Sequence, residues 1–427
     1  MSNTNIFLRS NRLYFEPLEE KHLTPSYINW LNGSKTTQYN SHGIFPNTKQ
    51  KTLQYIESIQ NDSSSVVLAM TEQLSNTHIG NIAIQSIDFI NSTCEISIMI
   101  GHREYWSQGY GLEAFHRIIQ HCFNKLNLNK ISIGTTSDNI GMQNIAKKLR
   151  MTQEGVRRSE IQRDGKYFDI YLYGLLQNEY TPPKKKIVAS IEVRMTSSRL
   201  PGKVLMPINN IPALELMIRR VSKSKQLHEI IVATTINKED EAIVQWCEQN
   251  NIQYFRGSEE NVYERVLNAH ITHNTDIIVE LTGDCPLLDP DLIDEAIECY
   301  LKGDYEYVSN CIEESYPLGM AVEVFSLETL KTIADNRELN NIDKEHVSPF
   351  LYTSNQYTIF NIKAPENLFF PELSVTLDTK EDFEVIEKID SCFNDKDYSL
   401  EDIISVAKKH PQWVKINQSI HRKGLEV

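Results

Sequence analysis

Apolar positions follow one rhythm in the first part of the chain and another in the second. In the first, apolar residues three and four apart predict helices over 27–31 and 49–59, while alternating or continuous apolar runs predict strands over 66–70, 78–87 and 94–101. A longer amphipathic helix follows, marked by Phe115, Ile118, Ile119, Cys122 and Phe123. Beyond it the pattern predicts a strand over 130–135, a second amphipathic helix ending near Leu149 and an alternating strand over 168–176. In the second part, strands over 187–192, 229–234 and 276–281 alternate with helices over 213–223, 238–250 and 261–273. Such alternation implies right-handed βαβ units and a mainly parallel sheet. The expected fold is α/β, with an α+β first domain and a Rossmann-like second domain.

The two rhythms meet at residues 180–186, Tyr-Thr-Pro-Pro-Lys-Lys-Lys. Two prolines and three lysines cannot continue an apolar strand, and a new strand starts at once behind them. We expect one domain over 1–180, a linker over 181–186 and a second domain over 187–427. No internal repeat or low-complexity tract interrupts either part.

Two places carry chemistry in the residues themselves. The first is Trp106-Ser-Gln-Gly-Tyr-Gly-Leu-Glu-Ala114, between the strand ending near residue 101 and the long helix. A strand that stops, a glycine-containing turn and a helix amino terminus form an anion site, because the turn's N–H groups and the helix dipole point outward together. Gly109 and Gly111 let a pyrophosphate approach without side-chain interference. A Gly-x-Gly by itself is equally the mark of an ordinary strand-to-helix turn.

The second is the basic loop after strand 187–192, where Arg194, Arg199 and Lys203 gather around Thr196, Ser197, Ser198 and Gly202. Fixed cations, hydroxyls and close backbone N–H groups suit a triphosphate. In parallel sheets, ligands sit beyond the carboxyl ends of the strands, where this loop falls. Asp284, in Leu-Thr-Gly-Asp-Cys-Pro, follows the third strand, and Asp378 follows an apolar segment over 373–377 that reads as a further strand. Two carboxylates at one sheet edge beside a basic loop make a reasonable Mg²⁺ site, since magnesium takes one or two carboxylates plus phosphate oxygens and water. Either aspartate alone reads equally as a turn or cap residue. A third cluster places Arg256 and Gly257 after a short strand and Arg265 on the next helix.

Composition narrows the setting. In 427 residues, Lys plus Arg number 43 and Asp plus Glu 57, a net charge of −14 that speaks against nucleic acid or an anionic membrane surface as partner. No run of about 18 apolar residues appears and the amino terminus lacks a signal-peptide pattern, so a cytoplasmic location is expected. Seven scattered cysteines without a Cys-x-x-Cys pair read as reduced thiols, with no structural zinc site.

The succession over residues 7–180 resembles the GCN5-related acetyltransferases, particularly the branch acting on ribosomal-protein amino termini and nucleotide-linked amino sugars. The resemblance implies that acetyl-CoA binds at Gln108, Gly109, Tyr110 and Gly111. The preceding strand, with Ile98 and Ile100, would splay open to pair with the pantetheine arm, and Asn139 would touch the cofactor. Asn139 reads equally as a helix cap. For proton removal from the amine, Glu95 fits by position, though it reads equally as a solvated strand residue, and Tyr171 or Tyr173 would reprotonate the thiolate unless they are packing residues. Trp106 and Arg150-Met151 depart from the family pattern.

Residues 186–400 resemble the cytidylyltransferases that activate acidic sugars, most closely the spore-coat-polysaccharide group related to CMP-ketodeoxyoctonate synthetases. The run Arg194-Met-Thr-Ser-Ser-Arg-Leu-Pro-Gly-Lys203 carries that resemblance. It implies that Arg194, Arg199 and Lys203 hold the nucleotide triphosphate of CTP, with Ser198 and Gly202 nearby, and that Asp284 and Asp378 bind Mg²⁺. Arg256 and Arg265 would line the nucleotide or sugar pocket, Glu323 and His346 would lie near the acceptor or a subunit contact, and a homodimer through the second domain is expected. Glu192 stands where the group often has Gln or a small residue. The combined expectation is a bifunctional enzyme that N-acetylates an amino sugar and activates an acidic sugar of the nonulosonic type. A protein N-acetyltransferase, or one domain serving as a binding or oligomerisation module, are the alternatives.

Overall fold

The computed structural model describes residues 6–394 and 396–420, and contacts within it divide the chain into two units, Met1–Lys184 and Lys185–Val427. The amino-terminal residues on which the signal-peptide expectation rests lie outside the described residues. Among those described, no helix is long and apolar enough to cross a membrane.

The first unit is one sheet with helices on both faces. Its strands are β1 (Leu8–Arg9), β2 (Leu13–Pro17), β3 (Val66–Glu72), β4 (Thr77–Asp88), β5 (Thr93–Ile100), β6 (Lys130–Thr136), β7 (Thr152–Arg163) and β8 (Lys166–Leu176), in the order β1-β2-β3-β4-β5-β6-β8-β7. Helices α1 (Pro25–Asn32) and α2 (Lys49–Gln60) cover one face, with Tyr27, Trp30 and Ile56 packed on Val67, Ala69 and Ala83. Helices α3 (Tyr110–Asn124) and α4 (Ile140–Lys148) lie on the other face, where Phe115, Ile118, Ile119 and Cys122 are fully buried over Ile96, Ile131 and Ile133. Strand β7 was not legible in the apolar pattern. It is an outer strand with mostly exposed residues, so its conformation comes from pairing with β8 and not from burial.

One irregularity positions the first site. Strand β5 pairs along its length with β4 but meets the parallel β6 only at Thr93, Cys94 and Glu95. From Ile96 to Ile100 its second edge has no strand partner, which leaves a wedge opening toward the amino terminus of α3.

The second unit has the strands β9 (Ile187–Glu192), a short hairpin of β10 (Pro207–Ile208) and β11 (Ile211–Pro212), then β12 (Glu229–Thr235), β13 (Gln253–Gly257), β14 (Ile277–Thr282), β15 (Tyr307–Ser309), β16 (Glu323–Ser326) and β17 (Ile359–Asn361). The main sheet runs β13-β12-β9-β14-β16-β15-β17, with β16 antiparallel to both neighbours and every other pairing parallel. From β9 the chain adds strands outward through β12 and β13, then crosses back to place β14 on the other side of β9. That reversal is the topological switch point, where the loops after two neighbouring strands diverge and leave a crevice.

Helices α5 (Ala213–Val221), α6 (Glu241–Gln249), α7 (Val262–Thr272) and α8 (Pro290–Lys302) make the crossovers. They are followed by α9 (Leu327–Asn336), α10 (Asn341–His346), α11 (Pro349–Thr353), α12 (Lys380–Ser391), α13 (Leu400–Lys409) and α14 (Pro411–Asn417). The larger core unites Ile191, Leu216, Met217, Ile293, Ile297, Val385 and Ile404. A smaller one holds Tyr263, Val266, Ile278, Tyr307 and Phe325.

Segment 373–377 is not the strand expected from its apolar residues. It is an extended connection tied by single contacts: Leu318 N–H donates to Leu373 O at 3.0 Å, Val375 N–H to Leu318 O at 2.8 Å and Leu377 N–H to Asp284 O at 2.7 Å. The next residues are fixed by Asp382, which is fully buried and accepts from Asp378 N–H (3.1 Å), Thr379 N–H (2.9 Å) and Asn417 Nδ2 (2.8 Å). Removing that carboxylate would strand several buried donors at once. Asp382→Ala is expected to destabilise the chain by roughly 2–4 kcal/mol in urea unfolding, and a loss below 1 kcal/mol would contradict this account.

Candidate active sites

In the second unit, the basic loop leaves β9 at the switch point and the turn after β14 comes up beside it. Gly283 permits this approach, because a Cβ there would lie 2.3 Å from Val193 Cγ1 and 2.5 Å from Glu192 O. The loop's start is anchored by Asp240, which accepts from Met195 N–H at 2.6 Å and from the Thr235 hydroxyl. Its end folds back so that Lys203, 9% exposed, reaches inward.

Lys203 Nζ donates to Asp378 Oδ1 at 2.8 Å and to Asp284 Oδ2 at 3.2 Å, and Arg199 Nη2 donates to Asp378 Oδ2 at 2.8 Å. Burial alone would lower the Lys203 pKa, but Asp284 and Asp378 outweigh it and hold the ammonium above its ordinary value. The structure thus brings together Arg199, Lys203, Asp284 and Asp378, four residues spread over 180 positions. Two carboxylates converging on one cation also suit a hard divalent cation completed by phosphate and water oxygens. Among the described residues no group of three or more His, Cys, Asp or Glu is arranged to hold a metal.

Arg194 lies at the outer end of the loop, with Nη1 3.0 Å from Glu259 Oε1. Thr196 and Asn237 also donate to Glu259, holding its carboxyl below the ordinary range. Ser198 is exposed on the same loop. Arg256 does not join the cluster: its guanidinium donates to Thr235 O, Asn237 O and Glu241 Oε2, which commits it to the loop after β12. Arg265 is 3% exposed, with Nη1 bonded to Ser258 O at 2.5 Å. His346 is exposed, and its near neighbour Ser348 is the residue whose hydroxyl reaches Glu323.

Below the basic loop, the same sheet face carries a group of carboxylates. Glu280 of β14 is paired in register with Ser190 of β9 and Glu323 of β16, and Glu192 is paired with Thr282. Burial raises the Glu192 carboxyl to about 8, raises Glu280 well above its ordinary value with added repulsion from Glu323 and Glu192, and raises Glu323 despite hydrogen bonds from Ser348 and Tyr307. Glu280 and Asp240 gave no signal in the sequence, since neither belongs to a spaced motif.

In the first unit, β5 ends where Trp106 Nε1 donates to Ile100 O at 2.8 Å. The turn then passes Gly109, whose φ of 89° is left-handed and suits glycine, into the uncapped amino terminus of α3. A Cβ on Gly111 would lie 3.7 Å from Ile100 Cδ1 and 3.9 Å from Ile98 Cδ1, so the helix start rests directly on the wedge. Sequence reading missed Arg12. Its N–H and Nε reach both carboxylate oxygens of Glu113 at 2.7 and 2.8 Å, its Nη1 donates to Gln108 O at 3.1 Å, and its guanidinium lies 4.0 Å from the Tyr110 ring centroid. Nothing local signals a residue about a hundred positions from the turn it braces.

Glu95 is exposed and is the last residue of β5 paired with β6. Tyr171 and Tyr173 lie on the opposite face of the sheet, packed in the core under α3 and α4. The structure therefore does not bring Glu95 and Tyr171 together. The Asn139 side chain accepts from Met142 N–H at 3.2 Å as the cap of α4.

The raised carboxyl of Glu192 has a measurable consequence. The folded chain keeps a proton that the unfolded chain releases above about pH 4.5, so this contribution to stability is present at low pH and lost as pH rises toward 8. Unfolding free energy of the native sequence is expected to fall between pH 5 and 8, by up to about 1.4 kcal/mol per unit for this group. Glu192→Gln should flatten the profile, and an unchanged slope in that variant would refute the assignment.

Comparison with known proteins agrees with these two units. Residues 188–420 match the cytidylyltransferase family model, and residues 12–152 match the acetyltransferase (GNAT) domain model. The spore coat polysaccharide biosynthesis protein SpsF of Bacillus subtilis is 32% identical over 235 residues, covering 53% of this chain and 95% of that protein. An uncharacterised protein of Methanocaldococcus jannaschii is 37% identical over 240 residues, covering 56% of this chain and 97% of its own. A solved cytidylyltransferase from Leptospira borgpetersenii, 32% identical, aligns over 56% of this chain and all of its own with a TM-score of 0.52. With a matching sequence model over more than half its length, the chain belongs to the cytidylyltransferase family and carries a GNAT acetyltransferase domain ahead of that unit.

Proposed function

We propose that the chain is a bifunctional enzyme of acidic amino-sugar activation. Its second unit transfers CMP from CTP to an acidic sugar of the nonulosonic type with release of pyrophosphate, and its first unit N-acetylates an amino sugar with acetyl-CoA. The observation that carries the first half is the convergence of Arg199, Lys203, Asp284 and Asp378 at the switch point of the sheet.

In this reading, Arg194, Arg199 and Lys203 exchange their present partners Glu259, Asp378 and Asp284 for triphosphate oxygens. Ser198 and the Gly202 N–H add donors along the loop. Asp284 and Asp378 would hold Mg²⁺, which when bound supplies positive charge at the phosphates and lowers the pKa of a nearby hydroxyl. The sugar oxygen attacks the α-phosphorus in line and the P–O bond to the departing pyrophosphate breaks. Catalysis consists of positioning and of fixed charge aimed at the leaving group, with no covalent protein intermediate.

In the first unit, the wedge beside Ile98 and Ile100 would take the pantetheine arm, and the pyrophosphate would meet the N–H groups at Gln108 to Gly111, with Arg12 at the rim. Glu95, on the face shared with α1 and α2, would accept the amine proton directly or through water. A nucleotide-linked acceptor is favoured by Arg163, whose guanidinium lies 5.4 Å from the Tyr39 ring and 4.5 Å from the Phe168 ring and bonds Asp138 at 2.7 Å. A guanidinium beside a partly buried and an exposed aromatic ring suits a base and phosphate better than a cationic peptide.

Two measurements test the halves separately. Asp284→Ala and Asp378→Ala should each lower Mg²⁺-dependent pyrophosphate release from CTP by at least about a hundredfold, assayed at a temperature where circular dichroism shows each variant folded; near-normal rates in both would remove the metal assignment. Calorimetry should detect acetyl-CoA binding to the full chain, weakened about tenfold by Arg12→Ala. No heat at millimolar acetyl-CoA would remove the acetyltransferase reading.

A further inference from the structure

The carboxylates on the sheet face below the basic loop have no place in phosphate binding. Glu192 is the last residue of β9, two positions before Arg194, and Glu280 lies four positions before Asp284 on the neighbouring strand. With Glu323 on β16 they form a row across three adjacent strands. Glu280 is buried, Glu192 and Glu323 keep part of their surface exposed, and Thr282 and Cys311 at the margin are exposed. The row lies beside the end of β9 from which the triphosphate loop leaves.

Arg265 is the counter-charge of Glu192, whereas no cation among the described residues acts on Glu280 in the middle of the row. Glu280 is 7% exposed and its Oε2 has no hydrogen-bond partner. The charged groups acting on it are the carboxylates of Glu323 and Glu192. Glu323 is oriented by two hydroxyl donors, Tyr307 at 2.5 Å and Ser348. Ser348 is delivered by Val347, whose φ of 61° is strained for a β-branched residue. Arg265, 3% exposed, approaches from α7 toward Glu192 and also leaves a buried nitrogen, Nε, without a partner. Buried polar atoms without partners are costly in a folded chain and persist where a ligand supplies the missing half.

We propose that Glu192, Glu280 and Glu323 form the acceptor subsite for a free ammonium group, so that the sugar receiving CMP carries an unacetylated amine. The inference rests on the nucleotidyl-transfer reading above and narrows its acceptor. Glu192 and Glu280 hold protons in the free chain near neutral pH, and a bound ammonium would favour their release to solvent and donate to the resulting carboxylates, whereas an acetamido group is neutral and offers one N–H. Arg265 is the complementary group for the acid function of the same sugar. Acetylation of that amine by the first unit then belongs after nucleotidyl transfer, since an acetylated sugar brings no positive charge to the row.

The test uses the full chain with CTP and Mg²⁺, and D-glucosaminic acid, N-acetyl-D-glucosaminic acid and D-gluconic acid as probes, with binding read by saturation-transfer NMR titration. The free amine is expected to bind at least tenfold tighter than either comparison acid. Glu280→Gln, an isosteric change remote from the phosphate loop, should erase that preference while leaving the thermal transition and CTP affinity unchanged, and Glu280→Asp should restore part of it. Equal binding of the three acids, binding of none of them, or a preference that survives Glu280→Gln would overturn the ammonium subsite. Loss of CTP binding by the native chain would instead strike the nucleotidyl-transfer reading, so the two failures are separable.

Discussion

The second unit is organised around one buried cation. Lys203 reaches into the interior at the switch point, where an unpaired ammonium could not persist, and is held by Asp284 and Asp378 at 3.2 and 2.8 Å. Those carboxylates arrive by different routes, one on the turn that follows β14 and the other on the extended segment before α12. The backbone bond from Leu377 to Asp284 O joins the two routes beside the charges. The crevice a parallel sheet leaves at its reversal is thus spanned by ion pairs.

Both units withhold something that an ordinary fold would complete. In the first, β6 leaves β5 after three paired residues, and the wedge meets an uncapped helix amino terminus. In the second, acidic side chains occupy sheet positions where apolar ones would pack better, and the backbone at Val347 is strained to bring Ser348 to Glu323. Local rules broken at such places while the surrounding core obeys them are the expected signature of function.

Much of this was legible before any coordinates. The basic loop, both aspartates, the glycine turn and the alternation of strands and helices follow from residue type and spacing. The apolar residues of segment 373–377 predict a strand because apolar composition does not distinguish a ladder from an extended connection that makes isolated bonds. Strand β7 escaped because exposed polar residues carry no period, and Tyr171 was given a role that its packing against the α3 and α4 core does not favour.

The two-part α/β organisation and the kinds of chemical groups offered at each site follow from burial periodicity and turn chemistry, which are local properties of the chain. Tertiary structure alone decided that Arg12 braces the turn a hundred residues away, that Arg256 is spent on its own loop, and that Glu192, Glu280 and Glu323 stand side by side. Strand order and register set these neighbours, and a row of acids on three strands acquires its meaning only when pairing brings their charges within reach of one another.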